Sequence, residues 1–174
     1  HFINGFNQLF AGDSDTVIKN KYREIKDFLK QKKDSIGDTR DILTIKGLIR
    51  RGEASTASTY NDIPLDRVHF LDLPFYESGK IEKLPMGEAD VKVVREFIHS
   101  IQPHQIYVAG DLADPHGTHK KCTDAVFAAL DEELKAGEQW LDDCRVWMYR
   151  GAWAEWEIEN IEMCVPMSPD ADSN

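Results

Sequence analysis

In Tyr107-Val-Ala-Gly-Asp-Leu-Ala-Asp-Pro-His116-Gly-Thr-His119-Lys-Lys-Cys122 the sequence changes from a strand pattern to a helix pattern. The β-forming residues around Val108 stop at Gly110, and the apolar spacing from Cys122 to Leu130 is helical. His116 and His119 therefore lie where the carboxyl end of a strand passes through a loop into a helix. In open α/β sheets, ligands bind in the crevice at that edge.

Helix and strand patterns alternate on both sides of this stretch. Apolar residues at spacings of three and four predict helices over 15–33, 39–60, 88–101 and up to about Lys135, with a short buried helix within 1–13. Strands are predicted over 68–73, 106–109 and 145–149, with a last edge strand within 158–165. This alternation is typical of α/β folds with a mostly parallel sheet.

The composition favours one acidic domain of ordinary size. The chain has 174 residues, 41% of them hydrophobic, and a formal charge of −10. We expect a single domain over 1–167 and a frayed tail over 168–174. The charge argues against nucleic-acid binding, which uses basic patches, and no apolar run approaches the roughly 18 residues of a membrane span. Three cysteines without a C-x-x-C spacing predict reduced thiols in a cytoplasmic protein.

The pair of histidines is the strongest chemical signal in the sequence. Imidazole is the commonest metal ligand at neutral pH, and it also acts as a general acid. His116 and His119 are three residues apart and follow two aspartates, Asp111 and Asp114. The H-x-x-H spacing also occurs by chance, and it lacks the glutamate of the zinc-protease motif. The two histidines could therefore be a metal ligand and a general acid, or they could be loop residues without a function.

Three segments carry a resemblance to a known family. They are Arg50-Arg-Gly-Glu53-Ala54, then His69-Phe-Leu-Asp-Leu-Pro74 with Glu77-Ser-Gly79, and finally Asp114-Pro-His116-Gly-Thr-His119. In this order they resemble the R-x-x-E-A, D-S-G and H-P-D-H segments of the LmbE-like or PIG-L zinc-dependent deacetylases. The resemblance spans about residues 47–130. It implies a three-layer, Rossmann-like sheet with helices on both faces.

The same resemblance implies roles for individual residues. His119 would be a zinc ligand, and His116 would be the catalytic residue that stabilises the transition state or protonates the leaving amine. Arg50 and Glu77 would contact the sugar, with Glu77 standing where the family usually has Asp. Other residues would orient these groups: Glu53, Asp111 and Asp114. Arg50 and Glu53 could instead form a solvated ion pair, and Asp114 could cap the following helix.

The chain also departs from the family pattern. The family's A-H-P-D-D-E segment, which follows its first strand and supplies the general base and two metal ligands, has no counterpart in these residues. The resemblance therefore implies a fragment that lacks the first strand and its motif. Its intact parent would be a metal-dependent hydrolase acting on an amide C–N bond of an N-acetylglucosamine derivative, and the fragment itself would be inactive. Whether this chain is an enzyme stays open.

A second reading makes the chain a non-catalytic domain. The run from Val146 to Glu157 looks closest to a branch in which the domain lies carboxyl-terminal to a glucosamine-6-phosphate deaminase-like domain. The chain could then bind an amino sugar or sugar phosphate, or act as an interaction domain for such a neighbour or for a second copy. The tryptophans Trp147, Trp153 and Trp156 could form that interface or could pack in an ordinary core.

Overall fold

The computed structural model describes residues 10, 12–33, 36–76, 84–110, 117–151 and 157–165. The chain divides into two compact units, residues 1–85 and 86–174, and each is described by itself. The single domain expected over 1–167 stays a prediction. The frayed tail over 168–174 lies outside the described residues, as does nearly all of the short helix expected within 1–13.

Two helices form most of the first unit. Helix α1 is Asp15–Gln31 and helix α2 is Arg40–Tyr60, so both predicted helices are confirmed to within about two residues. The side chain of Ser14 accepts a hydrogen bond from the backbone N–H of Val17 at 3.5 Å and caps α1, as its position before the apolar pattern predicts.

The turn between these helices is fastened by one carboxylate. Asp38 accepts from Lys32, which follows α1, at 2.5 Å, and from Lys46 in α2 at 2.6 Å. The two lysine hydrogen bonds, first that of Lys32, hold the pKa of Asp38 below its ordinary value. A nearly buried carboxylate between two ammonium groups ties the start of α2 to the end of α1.

The strand predicted over 68–73 is wrong. These residues form neither a helix nor a strand, and Asp72 has a positive φ of 50°. The segment is held by side chains, because Arg51 of α2 pairs with the carboxylate of Asp72 and lies over the ring of Phe70 at 5.3 Å. A strand needs a partner for its backbone groups, and no described residue pairs with this segment.

The second unit holds the sheet. Helix α3 is Glu88–Ile101, strand β1 is Gln105–Ala109, helix α4 is Thr118–Ala136 and strand β2 is Arg145–Tyr149. The strands pair in parallel from Gln105 opposite Arg145 to Ala109 opposite Tyr149, and α4 lies in the crossover between them. The predicted helices and both predicted strands are confirmed here. The predicted edge strand within 158–165 is wrong, because Ile158–Asn160 is an exposed 3₁₀ helix and the described residues after it form no strand.

Helices α3 and α4 pack on each other and form the core of this unit. Buried side chains recur along α3 at spacings of three and four, namely Val91, Val94 and Ile98. Ala125 and Ala129 of α4 are fully buried, and their small side chains allow the two helices to approach closely. Val108 of β1 is buried as well.

The α/β class is therefore confirmed in a coarse form, as a helix-rich chain with a small parallel sheet of two strands in its described part. The three-layer Rossmann-like arrangement stays a prediction. Among the described residues, every helix is too short or too polar to cross a membrane.

Candidate functional site

His119 lies at the carboxyl edge of the two strands. It is the second residue of α4 and is exposed, and Gly117 precedes the helix with a positive φ of 64°. The buried hydroxyl of Thr123 donates to the carbonyl of Ala109 at the end of β1, at 2.8 Å. The N–H of Gly110 donates to the carbonyl of Tyr149 at the end of β2, at 2.9 Å. The bond of Thr123 holds the beginning of α4 at the carboxyl end of β1, which is the sheet edge where the sequence predicts a ligand.

Four of the seven predicted site residues lie outside the described residues: Glu77, Asp111, Asp114 and His116. Their implied roles stay predictions. The same holds for Trp153 and Trp156 of the predicted aromatic interface.

The described residues do not assemble a zinc site around His119. Within the described ranges, the group of three potential ligands consists of His99, Glu133 and Glu138, whose ligand atoms all lie within 4.8 Å of one another, and it does not include His119. A catalytic zinc usually takes three protein ligands and a water. The zinc implied by the resemblance would therefore need ligands beyond the described residues, and we derive no reaction step through it.

Arg50 and Glu53 lie together on α2, in the first unit. Arg50 Nη1 donates to Glu53 Oε2 at 3.0 Å, and the two side chains are 81% and 59% exposed. This geometry is that of a solvated ion pair, which typically contributes about 0–1 kcal/mol to stability. This ion pair is compatible with the predicted sugar contact of Arg50, because an interaction as weak as that with Glu53 is easily replaced by a ligand.

The sequence analysis missed a polar cluster around Glu133, which we call the Glu133 cluster: Arg95 and His99 of α3, Glu133 of α4, and Trp140. Glu133 is only 1% exposed. Its carboxylate accepts from Arg95 Nε at 2.7 Å and contacts His99 Nδ1 at 2.7 Å, and Trp140 Nε1 donates to it at 3.4 Å. The cluster joins α3, α4 and the 3₁₀ helix Gln139–Asp143.

The charges of this cluster support one another. Burial alone raises the pKa of Glu133, but the hydrogen bonds of Arg95, His99 and Trp140 outweigh it and hold that pKa below its ordinary value. The hydrogen bond to Glu133, followed by its charge, raises the pKa of His99. Because each carboxylate oxygen already has a close side-chain partner, Arg95 on one and His99 on the other, the cluster is explained as a structural polar network. It lies on a charged groove of about 590 Å³ between α3 and α4.

A signal for the Glu133 cluster exists in the sequence. Glu133 follows Ala125 and Ala129 at a spacing of four, which places it on the buried face of α4. Arg95 and His99 share the same spacing on α3. A carboxylate on a buried helix face requires cationic partners, and these two residues supply them.

The cysteines agree with the prediction of reduced thiols. Cys122, Cys144 and Cys164 are all free. Partial withdrawal from water raises the pKa of Cys122 and of Cys144, so both thiols are protonated at neutral pH.

Comparison with known proteins gives one informative match. The chain is 72% identical over 170 residues to a protein of Bacteroides thetaiotaomicron named "Putative glucosamine-6-phosphate deaminase-like protein". The match covers 98% of this chain and 26% of that relative, so the chain spans about a quarter of the relative's length. No protein-family model matches the chain, and no solved structure matches it.

The relative's name agrees with the deaminase-like association expected from the run Val146 to Glu157. It does not mention a deacetylase. The resemblance to the LmbE-like deacetylases therefore stays a prediction.

Proposed function

We propose that this chain is an amino-sugar-binding domain of a longer deaminase-like protein, and that it binds its ligand without a metal. The observation that carries the proposal is the 72% identity along 98% of the chain to a protein with that name. The ligand class is a hexosamine or its phosphate. A cytoplasmic location, which the free thiols accord with, is part of the same proposal.

Arg50 is the best described candidate for the ligand contact. A hexosamine phosphate carries an anionic phosphate, which a guanidinium binds through two parallel hydrogen bonds. Arg50 is exposed, and its partner among the described residues is the solvated Glu53, which a phosphate can replace at small cost. Arg51 beside it is engaged with both carboxylate oxygens of Asp72 and is less available.

Calorimetric titration of the chain with glucosamine 6-phosphate and with N-acetylglucosamine 6-phosphate tests the proposal. We expect binding that survives a chelator. Arg50→Ala should weaken it about tenfold to a hundredfold, since a hydrogen bond to a charged group contributes about 1.5–3 kcal/mol. Arg40→Ala, which removes an exposed arginine from the same helix, is the matched control. If neither sugar binds, the proposal is refuted. If binding is lost when a chelator is added, the metal-free part of the proposal is refuted.

A second candidate is the zinc-dependent deacetylase implied by the resemblance. The observation that favours it is the position of His119 in the first turn of α4, at the carboxyl edge of the sheet and three residues after His116. By the resemblance, His119 binds zinc and His116 acts on the leaving amine. The general base and two more ligands would come from the longer protein.

Elemental analysis distinguishes the two candidates. The deacetylase reading requires stoichiometric zinc in the longer protein and its loss in His119→Ala. His104→Ala is the control, because His104 is exposed and its backbone carbonyl, which accepts from the N–H of Arg145, is retained in the variant. A longer protein without zinc, or zinc retained in His119→Ala, contradicts the assignment of His119.

A further inference from the structure

Three side chains of the second unit bring metal-ligating atoms together at the Glu133 cluster. His99, Glu133 and Glu138 each offer one ligand atom, and these atoms all lie within 4.8 Å of one another. We call these three residues the ligand group. A tetrahedral zinc ion with bonds of about 2.0–2.2 Å holds its ligand atoms about 3.3–3.6 Å apart. Small side-chain rotations therefore bring the three atoms around one ion.

A glycine turn places Glu138 in the ligand group. Helix α4 ends at Ala136, and Gly137 follows with a positive φ of 78°, a conformation that favours glycine. The N–H of Glu138 donates to the carbonyl of Glu133 at 3.2 Å, which turns the chain back along the last turn of the helix. Two carboxylates that are five positions apart in the sequence therefore lie beside the same imidazole.

The hydrogen bonds of Glu133 suit a carboxylate that binds a metal. Arg95 Nε donates to Oε1 at 2.7 Å, and Oε2 faces His99 Nδ1 at 2.7 Å. Trp140 Nε1 reaches Oε2 only at the longer distance of 3.4 Å. Outer hydrogen bonds such as that of Arg95 orient metal-ligating carboxylates. Glu133 is buried and held in place by packing, whereas His99 is half exposed and accessible to an ion from water.

The groove beside the cluster has the charge that a cation requires. Its described lining contains four glutamates against one lysine and one arginine, so the groove is acidic even without Glu138. Two carboxylates also balance the charge of a divalent ion when His99 is neutral. An imidazole with carboxylates suits zinc, whereas calcium and magnesium prefer oxygen ligands alone.

We propose that His99, Glu133 and Glu138 bind one zinc ion. The ion fastens α3 to the end of α4 and to the 3₁₀ helix that begins after Glu138. Without zinc, the hydrogen bond between His99 and Glu133 joins the two helices in its place. The ligand group includes neither His119 nor Arg50, so this inference does not rest on the deacetylase resemblance or on the proposed sugar binding.

Calorimetric titration of the metal-free chain with zinc chloride tests the proposal. We expect a site for one zinc ion per chain. Glu138→Gln should weaken zinc binding at least tenfold, because loss of even an outer hydrogen-bond partner typically costs about tenfold to a hundredfold in metal affinity. Glu132→Gln removes a carboxylate of the same groove outside the ligand group, and this matched control should change the affinity less than about threefold. His119→Ala should leave the affinity unchanged.

Nitrogen-15 NMR of the histidine rings gives a second measurement that needs no variant. Zinc should shift the Nδ1 resonance of His99 in the wild type, because that nitrogen exchanges a hydrogen bond for a metal bond. The ring of His104, which is exposed and lies outside the ligand group, is the internal reference and should stay unshifted. In Glu138→Gln, the shift of His99 should require at least tenfold more zinc.

The proposal is overturned if the wild type does not bind zinc, because the cluster is then a polar network alone. It is also overturned if zinc leaves the His99 resonance in place, or if wild type and Glu138→Gln bind zinc equally. Zinc binding that is lost in His119→Ala and retained in Glu138→Gln assigns the metal to His119 instead. Absence of sugar binding together with the expected zinc titration refutes the proposed function and leaves this inference standing.

Discussion

Replacing Glu133 by Gln should destabilise the second unit by about 2 kcal/mol. The carboxylate has a hydrogen-bond partner on each oxygen, Arg95 on one and His99 on the other, and a hydrogen bond to a charged group typically contributes about 1.5–3 kcal/mol. The glutamine amide has almost the same shape, but it can accept from only one of these partners and turns its NH₂ group toward the other.

The expected loss is smaller than the roughly 3–5 kcal/mol that follows when a fully buried ion pair loses one partner. The side chains of Arg95 and His99 are 37% and 50% exposed, so water can solvate them once the carboxylate is gone. Solvation of Arg95 and His99 reduces the loss in the free energy of unfolding. We therefore expect a loss close to the contribution of one charge-assisted hydrogen bond.

Hydrogen exchange measured peptide by peptide suits this test, because it reports on α3 and α4 separately from the first unit. A loss of about 2 kcal/mol corresponds to exchange about thirtyfold faster in the most protected amides of these helices. Glu132→Gln is the matched control. Glu132 is the neighbouring residue, its side chain is 46% exposed, and it reaches Arg95 only at 3.4 Å, so we expect a change within about 0.5 kcal/mol. The reasoning is refuted if exchange in Glu133→Gln is no faster than in Glu132→Gln.

Two further predictions concern the same unit. The pKa of His99 is raised, chiefly by its hydrogen bond to Glu133, so its contribution to stability is complete below its ordinary pKa of about 6.5 and is lost as the pH rises through the higher folded value. The stability difference between the wild type and His99→Gln should therefore shrink as the pH rises above about 6.5 and through the higher folded pKa, and a difference that is constant with pH in urea unfolding contradicts this. Thr123→Val removes the hydroxyl that holds α4 to the carbonyl of Ala109 and should cost about 1 kcal/mol in urea unfolding. Thr56→Val loses only an exposed bond within its own helix and should cost less than about 0.5 kcal/mol, and equal costs for the two variants would argue against an anchoring role for Thr123.

The failed strand predictions share a physical cause. The apolar run at 68–73 has the composition of a buried strand, but a strand exists only when another strand accepts and donates along its length. Instead, Arg51 binds Asp72 and lies over the ring of Phe70. Among the described residues, no strand forms backbone hydrogen bonds with this segment. The run at 158–165 also has no strand partner among the described residues.

The candidate site was predicted in part. The position of His119 follows from local sequence, since the strand pattern, Gly117 and the helix pattern come one after another along the chain. The Glu133 cluster was not predicted, because Arg95 and Glu133 are 38 residues apart and meet only when α3 packs on α4.

Helix positions and their caps are determined by the sequence itself, because the periodicity of apolar residues and the capping residues are read over short distances. Only the tertiary structure decides which apolar runs become strands and which charges are buried. Both depend on partners from distant parts of the chain. A backbone group of a strand and a buried carboxylate are stable only when those partners form hydrogen bonds or ion pairs with them.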